Sequence, residues 1–247
     1  MPVKTDRPRL LSDAAIGVIA STGMRALTHR AVDAAAGVPY GTTSYHFRTR
    51  RDLLRGVLSR IAEINHERLS RVPGPPIEAV DVPATRTDRL AEADQLAQRI
   101  AVFVDGQITQ QREHTLARMA CEIEVASDPD LREILHAGDA FRRMAIVALT
   151  RLGAGDPPRQ ADGLVALIDG LQFDRLVGVG SMSAAAPGTP QSQAEIAAVV
   201  RSYLTGLVPG SGGAAGWRSC WGTCPVWVLF LLVGGLWVRF LDRKSVV

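Results

Sequence analysis

Between Arg9 and Leu207 the apolar residues recur three and four apart and almost never alternate. A half-buried strand needs alternation at a period of two, whereas an amphipathic helix needs a period near 3.6. Even the β-branched residues of this chain sit in helical phase. The pattern predicts an all-α fold and excludes sheet-based architectures. With 247 residues, the chain has room for one domain of ordinary size and a small one, which excludes a large multidomain enzyme.

Charge is spread unevenly along that chain. Residues 1–70 hold 11 basic and 6 acidic groups, residues 71–210 hold 13 and 18, and residues 211–247 hold 4 and 1. A basic head on an acidic body suits a protein whose head meets a polyanion. Cys121, Cys220 and Cys224 make no disulfide framework and match no common zinc spacing. There is no H-E-x-x-H, G-x-S-x-G or P-loop pattern, and Asp169 and Asp174 have no visible partner base. Neither catalysis, a metal nor a cofactor is expected. No apolar stretch with a cleavage signature opens the sequence, so a cytoplasmic location is expected.

The head reads as short helices. Residues 9–21 carry Leu11, Ala15, Val18 and Ile19 on one stripe, with Gly23 as the stop. Thr28 stands before a second helical run and can cap its free amides. Gly37 fits a left-handed C-cap, and Val38 can plug the corner between helices. Pro39 suits the first turn of a third helix, where its missing amide proton costs nothing. Tyr40 to Phe47 is short, polar and ringed with hydrogen-bonding groups, a poor core helix. Held against a DNA groove, it would present hydroxyl, phenol and imidazole groups to phosphates and base edges. Phe47 is expected to turn inward. Asp52 suits the N-terminus of a fourth helix, which runs to about residue 69. Arg50, beside the reading helix with a long and always charged fork, is the best phosphate contact.

The run TGMRALTHRAVDAAAGVPYGTTSYHFRTRRDLL, residues 22–54, resembles the DNA-binding domain of the TetR family of bacterial transcriptional regulators. Gly37-Val38, Gly41-Thr42, Tyr45-His46-Phe47 and the stretch from Arg50 to Leu54 fall at that family's spacings. Three positions depart from it: Ser44 stands where tyrosine is usual, Arg50 where lysine is, and Asp33 where alanine is commoner. The resemblance implies a helix-turn-helix domain joined to a helical effector-binding and dimerisation domain. It places Thr28, Pro39, Tyr40, Thr42, Thr43, Tyr45, His46 and Arg50 at the positions that contact DNA.

Residues 72–85 hold four prolines and read as a loop. Helices are expected over 87–109, 113–126, from Pro129 through 149, and over 160–177 and 191–207. The last two are long and apolar and form the expected dimer surface, with Leu164, Ile168, Leu171, Ile196, Val200 and Tyr203 at its centre. Pairing two small heads doubles their contact with DNA and demands a pseudo-palindromic double-stranded operator. The resemblance implies the same pairing, and LIDGLQFDRLV, residues 167–177, is similar to that part of the family. Phe103, Arg118, Met119, Glu122, Phe141 and Phe173 are candidates to line a pocket for a small-molecule effector. His114 and His136 have weaker claims, and Cys121 is expected as a small buried hydrophobe.

The tail is of different material. All four tryptophans lie in the last 31 residues, and residues 219–238 carry no charge. Such a stretch can just cross a bilayer. The positive-inside tendency, however, puts Arg239, Arg243 and Lys244 in the cytoplasm, where a DNA-binding head must also be. Three readings fit: a membrane anchor, a helix lying on a membrane or against the body, and sequence from a displaced reading frame. The expected organisation is a DNA-binding domain over 1–58, an effector-binding and dimerisation domain over 59–209, a glycine-rich linker over 210–218 and the hydrophobic tail over 219–247. The leading functional expectation is a dimeric repressor released by an effector. The alternative is a non-catalytic, membrane-tethered helical module with a vestigial head.

Overall fold

The computed structural model describes residues 6–69, 85–136 and 140–210, and within them every regular element is helical. The elements are α1 (Arg7–Thr22), a single 3-10 turn (Met24–Ala26), α2 (His29–Ala35), α3 (Thr42–His46) and α4 (Arg50–Leu69). They continue with α5 (Arg86–Ile108), α6 (Arg112–Glu124), α7 (Pro129–His136), α8 (Ala140–Arg151), α9 (Pro157–Leu176), α10 (Gly180–Ser183) and α11 (Pro190–Leu207). The helix expected from Pro129 to 149 is described as α7 and α8, with residues 137–139 between them outside the described residues. Most of the proline-rich loop and the whole hydrophobic tail lie outside the described residues.

Local chemistry sets the boundaries. Asp156 and Thr189 accept from the amides of Arg159 and Ser192, and Pro157 and Pro190 follow each cap in the first turn. These cap–proline pairs start α9 and α11 earlier than the apolar period alone indicates. Thr85 caps α5 through the amide of Asp88 at 3.1 Å. Gly23 ends α1 with φ at 85°, a backbone conformation that favours glycine.

Two buried clusters hold the chain. The first gathers Leu11, Ala15 and Ile19 of α1, Val32 of α2, and Leu53, Val57, Leu58 and Ile61 of α4. Ala117 and Cys121 of α6 and Leu131 of α7 complete it. The second gathers α5, α8, α9 and α11 around Val104, Leu149, Leu164, Ile168, Ile196, Val200 and Leu204. Ala93, Ala97 and Ala101 repeat every fourth residue on α5, and these small side chains let α11 approach closely. At the end of that crossing, buried Asp105 accepts from the Ser192 hydroxyl at 2.9 Å and the Gly188 amide at 3.0 Å.

This packing corrects the expected dimer surface. Leu164, Ile168, Ile196 and Val200 are interior to the protomer, and Leu171 is half-buried against the same core. Tyr203 reaches inward and donates to the Gln160 carbonyl at 2.6 Å. The apolar faces that periodicity marks on α9 and α11 are covered by α5 and α8 within the protomer. Exposed on α9 are Ala166, Phe173 and the carboxylates Asp162, Asp169 and Asp174, and exposed on α11 are Ala194, Ala198, Val199, Ser202 and Gly206.

Candidate nucleic-acid interface

The head's interface begins at two turns. Thr28 Oγ1 accepts from the Ala31 amide at 3.2 Å and starts α2 as a simple cap. Gly37, at φ 62°, turns the chain out of α2. Pro39 then lies in a turn ahead of α3 and not in its first turn, correcting the expectation. The Pro39 carbonyl accepts from the Thr42 amide at 3.1 Å and the Thr42 hydroxyl at 2.6 Å.

Gly41, left-handed at φ 92°, occupies the N-cap of α3 and has no side chain with which to cap it. Asp33 supplies the missing acceptor from α2. Its Oδ2 accepts from the Gly41 amide at 2.8 Å. Its Oδ1 accepts from the Thr43 amide at 2.7 Å and the Thr43 hydroxyl at 2.5 Å. Burial alone would raise the pKa of this carboxyl. The Thr43 and Gly41 hydrogen bonds, with His29 nearby, instead hold it below the ordinary carboxylate value. The partners of Asp33 are thus two amides and a hydroxyl of the α3 start, where the sequence suggests only pairing with a nearby arginine. An acidic residue eight to ten positions before an uncapped, glycine-led helix was the signal available.

Other ties fix the far end. His29 Nε2 donates to the Phe47 carbonyl at 2.7 Å. Phe47 turns inward, and its ring lies so close to Gly56 that a Cβ there would come within 2.5 Å of Phe47 Cε1. Gly56 is thus the slot on α4 that receives the end of the reading helix.

The expected contact residues separate on this scaffold. Tyr40 and Tyr45 are each 82% exposed, and Thr28, Pro39 and Ser44 also face solvent. Thr42 and His46 are half-buried, with the Tyr45 and His46 rings edge to face at 5.1 Å. Thr43 is corrected: it is fully buried, and its hydroxyl is spent on Asp33. Arg50 is exposed but engaged by the protein itself. Its fork donates to the carbonyls of Leu27 at 2.9 Å and Met24 at 3.2 Å, and pairs with Glu124 of α6 at 3.1 Å. Arg51 is held in the same way by Asp128 at 2.9 Å and Asp130 at 3.3 Å, contacts that raise its pKa. Arg25, Arg30 and Arg48, like Arg7 and Arg55, are exposed and form no ion pair among the described residues, so they contribute to the head's unneutralised charge.

In the body, Phe103 and Phe141 stack at 5.7 Å, and Met119 is buried in the second cluster. Arg118 bridges α6 to α9, donating to Glu122 at 2.5 Å, Gln172 at 2.6 Å and Asp169 at 3.2 Å. Phe173 is 49% exposed on the outer side of α9, so it does not join the interior residues named with it. Burial pushes the Cys121 thiol up to about 12, with Glu122 and Glu124 adding to the effect, which leaves it an inert small hydrophobe. No group of three metal-ligating side chains occurs among the described residues.

Residues 11–57 match the family model described as bacterial regulatory proteins, tetR family. Residues 91–210 match the model described as tetracyclin repressor-like, C-terminal domain. No curated protein matches the sequence. Among solved structures, the multidrug binding protein EbrR complexed with malachite green is 26% identical, with 83% of this chain and 99% of that one covered and a TM-score of 0.53. A member of the TetR family from Streptomyces coelicolor A3 is 24% identical over 83% and 99% of the two chains, with a TM-score of 0.56. A transcriptional regulator from Rhodococcus sp. Rha1 is 21% identical over 82% and 96%, with a TM-score of 0.60.

Proposed function

The chain belongs to the TetR family of bacterial regulatory proteins, and on that premise we propose that it is a dimeric repressor released from a pseudo-palindromic operator by a small-molecule effector. Tyr40, Tyr45, His46 and Thr42 read base edges and phosphates in the major groove, with Thr28 and Pro39 at the rim. Arg25, Arg30 and Arg48 supply phosphate charge. Thr43 and Asp33 hold α3 in shape behind them. Two heads meet successive major grooves, ~34 Å apart, when the outward face of α9 and α11 pairs with a second copy.

One observation carries the coupling. α6 belongs to both clusters: Ala117 and Cys121 enter the first, Met119 enters the second, and Arg118 ties the helix to α9. Its last residue, Glu124, grips Arg50 at the root of the head. An effector that prefers a shifted α6 therefore changes the head's position by differential binding, without covalent chemistry. Coupling of ~1–3 kcal/mol is sufficient for a five- to 150-fold change in operator affinity.

Genome-wide selection of DNA fragments by the full chain, at one stated salt concentration, tests the reading. Recovery of a short palindromic site supports a regulator, and its loss in a Tyr45→Ala, His46→Ala variant assigns the contact to α3. Diffuse, salt-sensitive binding alone would overturn the proposal.

A further inference from the structure

The helix that presents Tyr45 and His46 has little of its own to hold it. α3 is five residues long, too short to persist without outside support, and Thr43 is its one buried side chain. That side chain is polar, and its hydroxyl is spent on Asp33. Among the described residues, the head's apolar cluster draws on α1, α2 and α4 and on nothing from α3. Apolar burial therefore does not fix the reading helix. The element it packs on most closely is α2.

What α2 supplies is two hydrogen-bonding side chains one turn apart. His29 and Asp33 stand at i and i+4 and leave the same side of α2. Asp33 grips the start of α3 through the amides of Gly41 and Thr43, at 2.8 Å and 2.7 Å. His29 grips its end, with Nε2 at 2.7 Å from the carbonyl of Phe47, the C-cap residue. A carbonyl only accepts, so Nε2 carries the proton. Phe47 directly follows Tyr45 and His46, whose rings meet edge to face at 5.1 Å. Fraying at that carbonyl swings these two rings, whereas Tyr40 and Thr42 lie at the end that Asp33 holds.

We propose that His29 is a positioning residue for sequence discrimination, an inference that rests on the DNA-binding reading above. By holding the Phe47 carbonyl, it sets the direction in which Tyr45 and His46 meet base edges, and it makes no contact with DNA itself. Hydrogen bonds to base edges weaken steeply as their angle departs from linear, so a misdirected ring loses discrimination. Attraction to phosphates needs only charge and survives the same displacement.

The test uses the full chain with His29→Leu, of similar bulk but without a donor, and His29→Gln, whose amide nitrogen lies as many bonds from Cα as Nε2 does. Amide hydrogen exchange is measured on each, together with affinity for the selected site and for a scrambled site across a salt series. In His29→Leu the amides of Tyr45 and Phe47 should exchange faster, while those of Gly41 and Thr43, held by Asp33, should not. Preference for the selected site should fall about fivefold or more, with scrambled-site affinity and salt slope unchanged. His29→Gln should stay within about twofold of the parent. Adding His29→Leu to the Tyr45→Ala, His46→Ala variant should lower the preference no further, because the rings it directs are gone. If His29→Leu does not fold, His29→Asn, whose amide is one bond short, takes its place. Equal loss on both DNAs with a shallower salt slope makes His29 a phosphate contact and overturns the proposal, as does a loss shared by His29→Gln. The two failures are distinct. A parent chain that selects no site removes the regulatory reading, whereas a parent that selects one while His29→Leu exchanges and discriminates as it does removes the role of His29 alone.

Discussion

Arg50 on α4 and Glu124 at the end of α6 are joined at 3.1 Å, and the same guanidinium also reaches the carbonyls of Leu27 and Met24. The residue best suited by chemistry to meet a phosphate is thereby turned to the protein's own body. Half-exposed pairs contribute ~0–1 kcal/mol, so this contact can be exchanged for another at little cost. Glu124→Gln removes a negative charge beside the head and frees the fork. Operator affinity should rise about two- to fivefold, and the slope of log affinity against log salt should steepen by about one phosphate contact. Affinity measured across a salt series checks this, and a weaker or unchanged slope would show that Arg50 does not turn outward.

Thr43 separates a structural role from a contact role. Its hydroxyl lies on Asp33, so Thr43→Val should cost about 1 kcal/mol of stability and leave the selected DNA sequence unchanged. Asp33→Ala, which strands two amides and the hydroxyl, should cost ~2–3 kcal/mol and weaken DNA binding through a frayed α3. Denaturant melts paired with DNA selection distinguish these outcomes. If Thr43→Val changes the preferred sequence at unchanged stability, Thr43 touches DNA.

Tyr40 and Tyr45 make the opposite prediction. Both rings are exposed, with Tyr45 meeting only the His46 ring among the described aromatic pairs, so their replacement by alanine should leave the melt within about 0.5 kcal/mol of the parent. Each lost base or phosphate contact should lower operator affinity by ~1–3 kcal/mol, about five- to 150-fold. Parallel melts and titrations with the selected operator check both halves.

What the sequence made legible follows the range of the interactions. Helices, the Thr28 cap and the Gly37 turn are local, and periodicity or one residue's conformational preference reveals them. Asp33 acts on amides eight and ten residues away, and no period marks that pairing. Arg50 and Glu124 are 74 residues apart, so only the fold brings them together. The apolar character of α9 and α11 is readable, but apolarity does not name the element that covers a face. Leu164 and Ile196 thus read as surface for a second chain, while α5, α8 and each other's helices bury them.

His114 gives the protein a pH dependence whose sign is fixed. Its folded value of about 3 lies below the ordinary 6.5, so the unfolded chain takes the proton first as the solution is acidified. Stability from this group is complete above 6.5 and is lost progressively as pH falls toward 3. The loss is ~1.4 kcal/mol per pH unit, or ~2 kcal/mol between pH 6.5 and 5.0. That interval lies above the ordinary carboxylate values, and Asp33, Glu63 and Asp128 are held lower still, so they contribute nothing to it. The groups acting on the ring, Arg60 and Arg68 from α4 and Arg118 from α6, keep their charge throughout. Unfolding free energies of the parent and of His114→Leu, measured at both pH values, isolate the effect as the difference between the two slopes. The variant should be flatter by ~2 kcal/mol across the interval. Equal slopes would mean that His114 reaches solvent and takes its proton without unfolding.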